Sequence, residues 1–170
     1  DLAKRLHEQD MRPYSQSVSW DKKGGFASWR IGVVEEEMGE AVEAVLRETE
    51  GIFLRQKGGE ARLGERRLLM ERSFEEIADA FFLTEAPPKG AELSFCTPTS
   101  FKREGRYVML PEFFLICQSL LQRWNRFSEE IQLHEENLTE KLAAACDLSR
   151  YALHSAPFSV ESHTIHGFRG

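Results

Sequence analysis

Cysteine is scarce and scattered in this chain. Cys96, Cys117 and Cys146 are far apart among 170 residues, and no two have C-x-x-C spacing. That spacing excludes an ordinary zinc knuckle or redox pair and leaves free thiols suited to a reducing compartment. Long apolar runs are also lacking, so no segment reads as a membrane-spanning helix. No charged-then-apolar leader opens the chain, and a cytoplasmic location is expected. Basic charge is in deficit as well. The net charge is −6, which by itself speaks against a nucleic-acid partner.

The distribution of charge changes that reading. Residues Glu35 to Glu50 hold seven acids against Arg47, and Glu129 to Glu140 hold five acids with no Lys or Arg. Elsewhere the balance reverses. Arg55, Lys57, Arg62, Arg66, Arg67 and Arg72 face only Glu60, Glu65 and Glu71, and Lys102, Arg103 and Arg106 cluster again. Acidic and basic faces coexist. With 41% hydrophobic and 29% charged residues, the composition is that of a folded domain, or of two very small ones.

Periodicity supplies the elements. Asp1 to Gln9 reads as a short helix that ends before Arg12-Pro13. Tyr14 to Trp20 and Phe26 to Val34 read as a hairpin about the Asp21–Gly25 turn. Glu36 to Glu48 carries a helical apolar stripe. Ile52 to Leu54 and Ala61 to Met70 read as strands either side of Gly58-Gly59. Ser73, with Glu76 three positions on, is a capping box for a helix to about Phe82. Ala86-Pro87-Pro88-Lys89-Gly90 is the best linker. Beyond it come a strand at Glu92 to Phe95, an interruption at Thr97-Pro98-Thr99, and a strand at Tyr107 to Leu110. A strong amphipathic helix then opens at Pro111, and a further helix is capped by Asn137. Tyr151 to Val160 and His163 to Phe168 close the series as strands. The three tryptophans, Trp20, Trp29 and Trp124, read as core residues.

This order suggests an α+β fold of tandem ferredoxin-like (RRM-like) domains, incomplete at the N- and C-termini. The domains are expected over 1–85, with its first strand missing, and over 86–170, with its end missing. Two such modules provide an open sheet surface of the kind that binds single-stranded RNA.

One pattern points elsewhere. Glu36-Glu37-x-x-Glu40 and Glu76-x-x-Asp79 resemble the paired carboxylates with which all-α nucleoside-triphosphate pyrophosphatases hold Mg²⁺. That reading requires a four-helix bundle, and the strand signals at Tyr14–Val34 and Ile52–Met70 oppose it. No metal or other cofactor is expected. The histidines do not decide the matter alone, because His7, His134, His154, His163 and His166 offer little to choose between them. His163 and His166, three apart in a strand, fall on opposite faces.

Four pieces in order do carry a resemblance. Leu6-His7 is followed by Arg12-Pro13-Tyr14-Ser15-Gln16-Ser17. The strand at Glu92 ends in Pro98-Thr99-Ser100-Phe101-Lys102, and Gly105-Arg106-Tyr107-Val108-Met109-Leu110-Pro111 follows. Ser119-Leu120-Leu121-Gln122-Arg123-Trp124-Asn125-Arg126-Phe127 comes next, and Ile165-His166-Gly167-Phe168-Arg169-Gly170 is last. Together they resemble the CRISPR-associated endoribonucleases that process repeat RNA, within the RAMP superfamily. The resemblance implies cleavage of CRISPR repeat transcripts within the repeat, without metal, leaving a cyclic phosphate. It implies His7 as the catalytic histidine and Arg12 as a basic group at the phosphate. A non-catalytic relative that only binds CRISPR RNA is the alternative.

A histidine of near-neutral pKa suits proton transfer, and arginine suits the charge that develops on phosphorus. Lys102 and Arg103, beside Phe101, are the expected RNA-binding residues, since a ring can stack a base while a cation holds its phosphate. Arg55 and Lys57 form a second candidate patch. The expected partner is CRISPR repeat RNA, with other CRISPR-associated proteins, a fused module or a second copy as further partners the resemblance allows.

Overall fold

The computed structural model describes residues 11–21, 23–54, 58–83, 86, 88–160 and 163–170. The chain is α+β and groups into two compact units, residues 1–73 and 74–170.

The first unit is built on a hairpin. β1 (Tyr14–Asp21) pairs antiparallel with β2 (Phe26–Val33) in unbroken register from Tyr14↔Val33 to Asp21↔Phe26. Directly opposed residues share a face. One face therefore carries Tyr14, Gln16, Val18 and Trp20 with Ala27, Trp29, Ile31 and Val33, while the other carries a row of serines and Arg30. The buried Pro13 closes the base of the ribbon, where its carbonyl accepts the Val34 N–H. α1 (Glu36–Glu48) follows. Glu36 and Glu37 lie in its first turn and Arg47 in its last, placements that suit the helix dipole, and its stripe buries Met38. Beyond Thr49, β3 (Gly51–Leu54) and β4 (Gly59–Arg62) form a second, shorter hairpin.

Two expectations fail in this unit. The strand expected over Ala61 to Met70 stops at Arg62. Leu68, Leu69 and Met70 are all mostly exposed, so neither face of that stretch is buried and no alternation is enforced. Trp20 and Trp29 are not core residues either. Trp20 is 63% exposed, because among the described residues the ribbon has only its two strands. The helix expected at Asp1 to Gln9 lies outside the described residues.

The second unit begins with α2 (Phe74–Phe82), directly after Ser73. Phe74 and Phe82 pack their rings on Trp124 at centroid distances of 5.1 and 5.8 Å. That cluster groups α2 with residues 74–170, whereas composition alone marks the Pro-rich stretch after it as the divide. β5 (Phe101–Arg103) and β6 (Arg106–Val108) make a tight hairpin. α3 (Phe113–Phe127) is the long amphipathic helix, and α4 (Leu138–Ala144) packs against it. Asn137 stands at the α4 N-cap with φ 57° and no side-chain cap bond. Asn tolerates this left-handed conformation, so its role is to turn the backbone rather than to cap.

β7 (His154–Val160) and β8 (His163–Arg169) form the last hairpin. β8 also has a partner on its other side. Phe95 and Gly170 exchange backbone hydrogen bonds, and so do Thr99 and Phe168, the latter pair at 2.9 Å each way. From 95 to 99 one chain takes four steps while from 168 to 170 the other takes two. The extra residues, which include Pro98 with no N–H to donate, form a bulge. Phe168 is 1% exposed and meets Phe95 edge-on at 4.8 Å and Phe101 stacked at 6.1 Å. This aromatic cluster is the centre of the unit.

The paired-carboxylate reading does not survive the fold. Strands stand at Tyr14–Val33 and Gly51–Arg62, where its four-helix bundle requires helices.

Candidate nucleic-acid interface

The β5–β6 hairpin is where sequence expectation and geometry meet. Its turn is Glu104-Gly105, with φ values of 51° and 77°. Positive φ at both central residues of a two-residue hairpin loop is the geometry that matches strand twist, and Gly adopts it freely. The turn sets the register: Phe101↔Val108, Lys102↔Tyr107 and Arg103↔Arg106. Alternation then divides the ribbon into two faces. Phe101, Val108, Arg103 and Arg106 share one, and Phe101 stacks there on the core residue Phe168. Lys102 and Tyr107 share the outward face.

The two cations expected to bind RNA are thus placed differently. The Lys102 ammonium lies 4.9 Å from the Tyr107 ring centroid, and both residues are exposed. Such an exposed cation–π contact is worth about 0.5–1 kcal/mol, less than the roughly 1–3 kcal/mol of a nucleobase stacked on an aromatic ring. A base can therefore displace the ammonium from the ring and leave it beside the adjoining phosphate. Arg103 points the other way and donates a 2.6 Å hydrogen bond to the Glu112 carboxylate.

The hairpin stands on a firm base. Ser100 Oγ donates to the Val108 carbonyl at 3.1 Å, and the Thr99–Phe168 bridge lies two residues before Phe101. A Cβ on Gly167 would fall 2.2 Å from the Thr99 carbonyl oxygen, so only glycine allows β8 to approach this closely. Elsewhere in this unit, Trp124 Nε1 donates to the Ile131 carbonyl at 2.8 Å. Asn125 grips Leu133 twice, accepting its N–H at 2.8 Å and donating to its carbonyl at 3.1 Å. The Pro98–Lys102, Gly105–Pro111 and Ile165–Gly170 pieces, distant in sequence, therefore meet in one hydrogen-bonded layer.

The remaining expected residues fall as follows. Arg12 is exposed and precedes the buried Pro13 at the foot of β1. His7, Arg55 and Lys57 lie outside the described residues. His134, His154, His163 and His166 are all exposed, and the strand geometry of β8 puts His163 and His166 on opposite faces. Among the described residues no three His, Cys, Asp or Glu side chains come together as a metal-ion site. Tyr107 and Glu112 were missed by sequence reasoning. An Glu-Gly turn between Phe101-Lys102-Arg103 and Arg106-Tyr107-Val108 was the signal that could have set Tyr107 opposite Lys102. Cys117 is half-buried on α3; burial pushes its thiol pKa up, and nearby Cys146 adds to the rise.

Comparison with known proteins gives a consistent result. The sequence profile of a family described as CRISPR-associated endoribonuclease Cas6 matches residues 93–170. A CRISPR-associated endoribonuclease Cas6 of Streptococcus thermophilus is 28% identical, over all of this chain and 68% of its own length. One from Mycobacterium tuberculosis is 26% identical, over all of this chain and 54% of its own length. The chain thus spans between about half and two thirds of these curated relatives. Among solved structures, a Cas6 product complex superimposes with a TM-score of 0.72 at 23% identity, over all of this chain and 69% of that one. That likeness establishes the fold as α+β of the tandem ferredoxin-like kind.

Proposed function

We propose that the chain is a member of the CRISPR repeat-processing endoribonucleases it resembles and that it cuts CRISPR repeat transcripts into guide RNAs. The substrate supplies the nucleophile, its own 2′-OH. A base takes the 2′-OH proton, the oxygen attacks the adjacent phosphorus, and the bond to the 5′-oxygen breaks as an acid protonates it. The products are a 2′,3′-cyclic phosphate and a 5′-OH, and no water or metal ion is needed for the balance. His7 is assigned as the proton-transfer group, a role worth about 10²–10⁴ in rate. Arg12 is assigned to the charge on phosphorus. Lys102, with Tyr107 beside it, is assigned to the RNA strand, and Arg55 and Lys57 to a second contact.

The observation that carries this reading is the convergence of the separated motif pieces on one layer with Lys102 and Tyr107 on its outward face. Among the described residues no helix is long and apolar enough to cross a membrane, and the proposed place of action is the cytoplasm. The test is incubation of the full-length protein with its repeat RNA in EDTA. Cleavage that persists in EDTA and is lost in His7→Ala supports the proposal. Tight binding without cleavage would instead make the protein a carrier of CRISPR RNA.

A further inference from the structure

The β5–β6 hairpin carries three cations, and like charges directly opposite each other destabilise a ribbon. Arg103 and Arg106 are such a pair. Glu112, the residue before α3, accepts a 2.6 Å bond from Arg103. Glu112 stands at the N-cap of α3, yet its side chain makes no cap hydrogen bond. Its carboxylate therefore goes to the hairpin instead of its own helix. The Glu112 side chain is 36% exposed and that of Arg103 56%, so the contact is partly shielded from water. Arg103 sits on the core-side face with Phe101, while Lys102 and Tyr107 face outward.

Resting on the RNA-cutting reading above, we propose that Arg103 and Glu112 are positioning residues. The pair pins the hairpin to the start of α3 and holds the Lys102–Tyr107 face in place for RNA, and Arg103 does not touch the RNA. A partly exposed pair of this kind supports a modest effect, about two- to fivefold in affinity.

The experiment is a double-mutant cycle on the full-length protein, reading repeat-RNA affinity across a salt series. Arg103→Gln and Glu112→Gln are each expected to weaken binding by about two- to fivefold, and the double variant no further. The slope of log affinity against log salt stays unchanged in Arg103→Gln, whereas Lys102→Gln reduces it by about 0.7, one phosphate of a single strand. Additive losses, or a shallower slope in Arg103→Gln, would place Arg103 on a phosphate and overturn the proposal. A second readout needs no RNA: hydrogen exchange of the 101–108 amides should speed up in both single variants alike. Unchanged exchange overturns the pinning role. If the unmodified protein fails to bind repeat RNA while exchange still responds, the RNA-cutting reading fails and the pin stands.

Discussion

The two long hairpins of this chain are nearly matched in size and opposite in character. β1–β2 has eight residues in each strand and β7–β8 has seven. In the first, Val18, Trp20, Phe26 and Trp29 are exposed; in the second, Ala156 and Phe168 are buried. The difference is the third backbone. β8 is hydrogen-bonded to residues 95–99 on its free side, which brings Phe95 and Phe101 onto Phe168. The β1–β2 ribbon pairs only with itself among the described residues. Hydrophobic sequence is therefore not enough to bury a ribbon, since an isolated hairpin is marginal in water and three strands with an apolar face are not. The β5–β6 hairpin that carries the candidate RNA face begins two residues after the Thr99–Phe168 bridge to this sheet.

The comparison breaks first at Phe168. Phe168→Ala removes the ring shared by Phe95 and Phe101 and is expected to lower stability by about 3–5 kcal/mol, read by denaturant or thermal unfolding. Next is Gly167→Ala. Its Cβ meets the Thr99 carbonyl oxygen, so β8 must move away from residue 99, at about 1–3 kcal/mol. Repeat-RNA binding should fall with it, because the hairpin stands on that bridge. On the other ribbon, Trp20→Ser should change stability by no more than about 0.5 kcal/mol, as for surface positions generally. A large loss there would mean the Trp20 face is covered in the working protein.

The smallest expected effect concerns the thiols. The Cys117 pKa is raised, so less of it is thiolate at neutral pH and it should alkylate more slowly than exposed Cys96 and Cys146. The lag should narrow as pH rises through the Cys117 pKa. Mass spectrometry of iodoacetamide-treated protein over a pH series checks this.

Much of the fold could be read from the chain. Alternation marked β1, the Asp21–Gly25 turn marked β2 as its return strand, and the apolar stripe marked α1 over its observed range. What escaped was decided by contacts between distant residues. β5 lies just after Pro98, which argued for an interruption, and only pairing across the Glu104-Gly105 turn makes Phe101–Arg103 a strand. Ala61 to Met70 looked like a strand locally, but its strand pairing ends at Arg62, followed only by the Leu63 N–H bond to the Glu50 carbonyl as a further backbone contact of this hairpin. Phe74 and Phe82 pack on Trp124, a pairing across more than forty residues that no local pattern supplies. For the site, Lys102 and Arg103 were legible as a basic pair beside Phe101. Their opposite orientations, and the engagement of Arg103 by Glu112, depend on a register no spacing rule supplies. His7 was selected by resemblance alone and lies outside the described residues.

The most direct test of the account is therefore single-turnover cleavage of repeat RNA by the full-length protein in EDTA, comparing the natural sequence with His7→Ala. The account predicts a cyclic-phosphate product from the first and a rate lower by about 10²-fold or more in the second. Cleavage that requires added Mg²⁺, or that is untouched by His7→Ala, would contradict it.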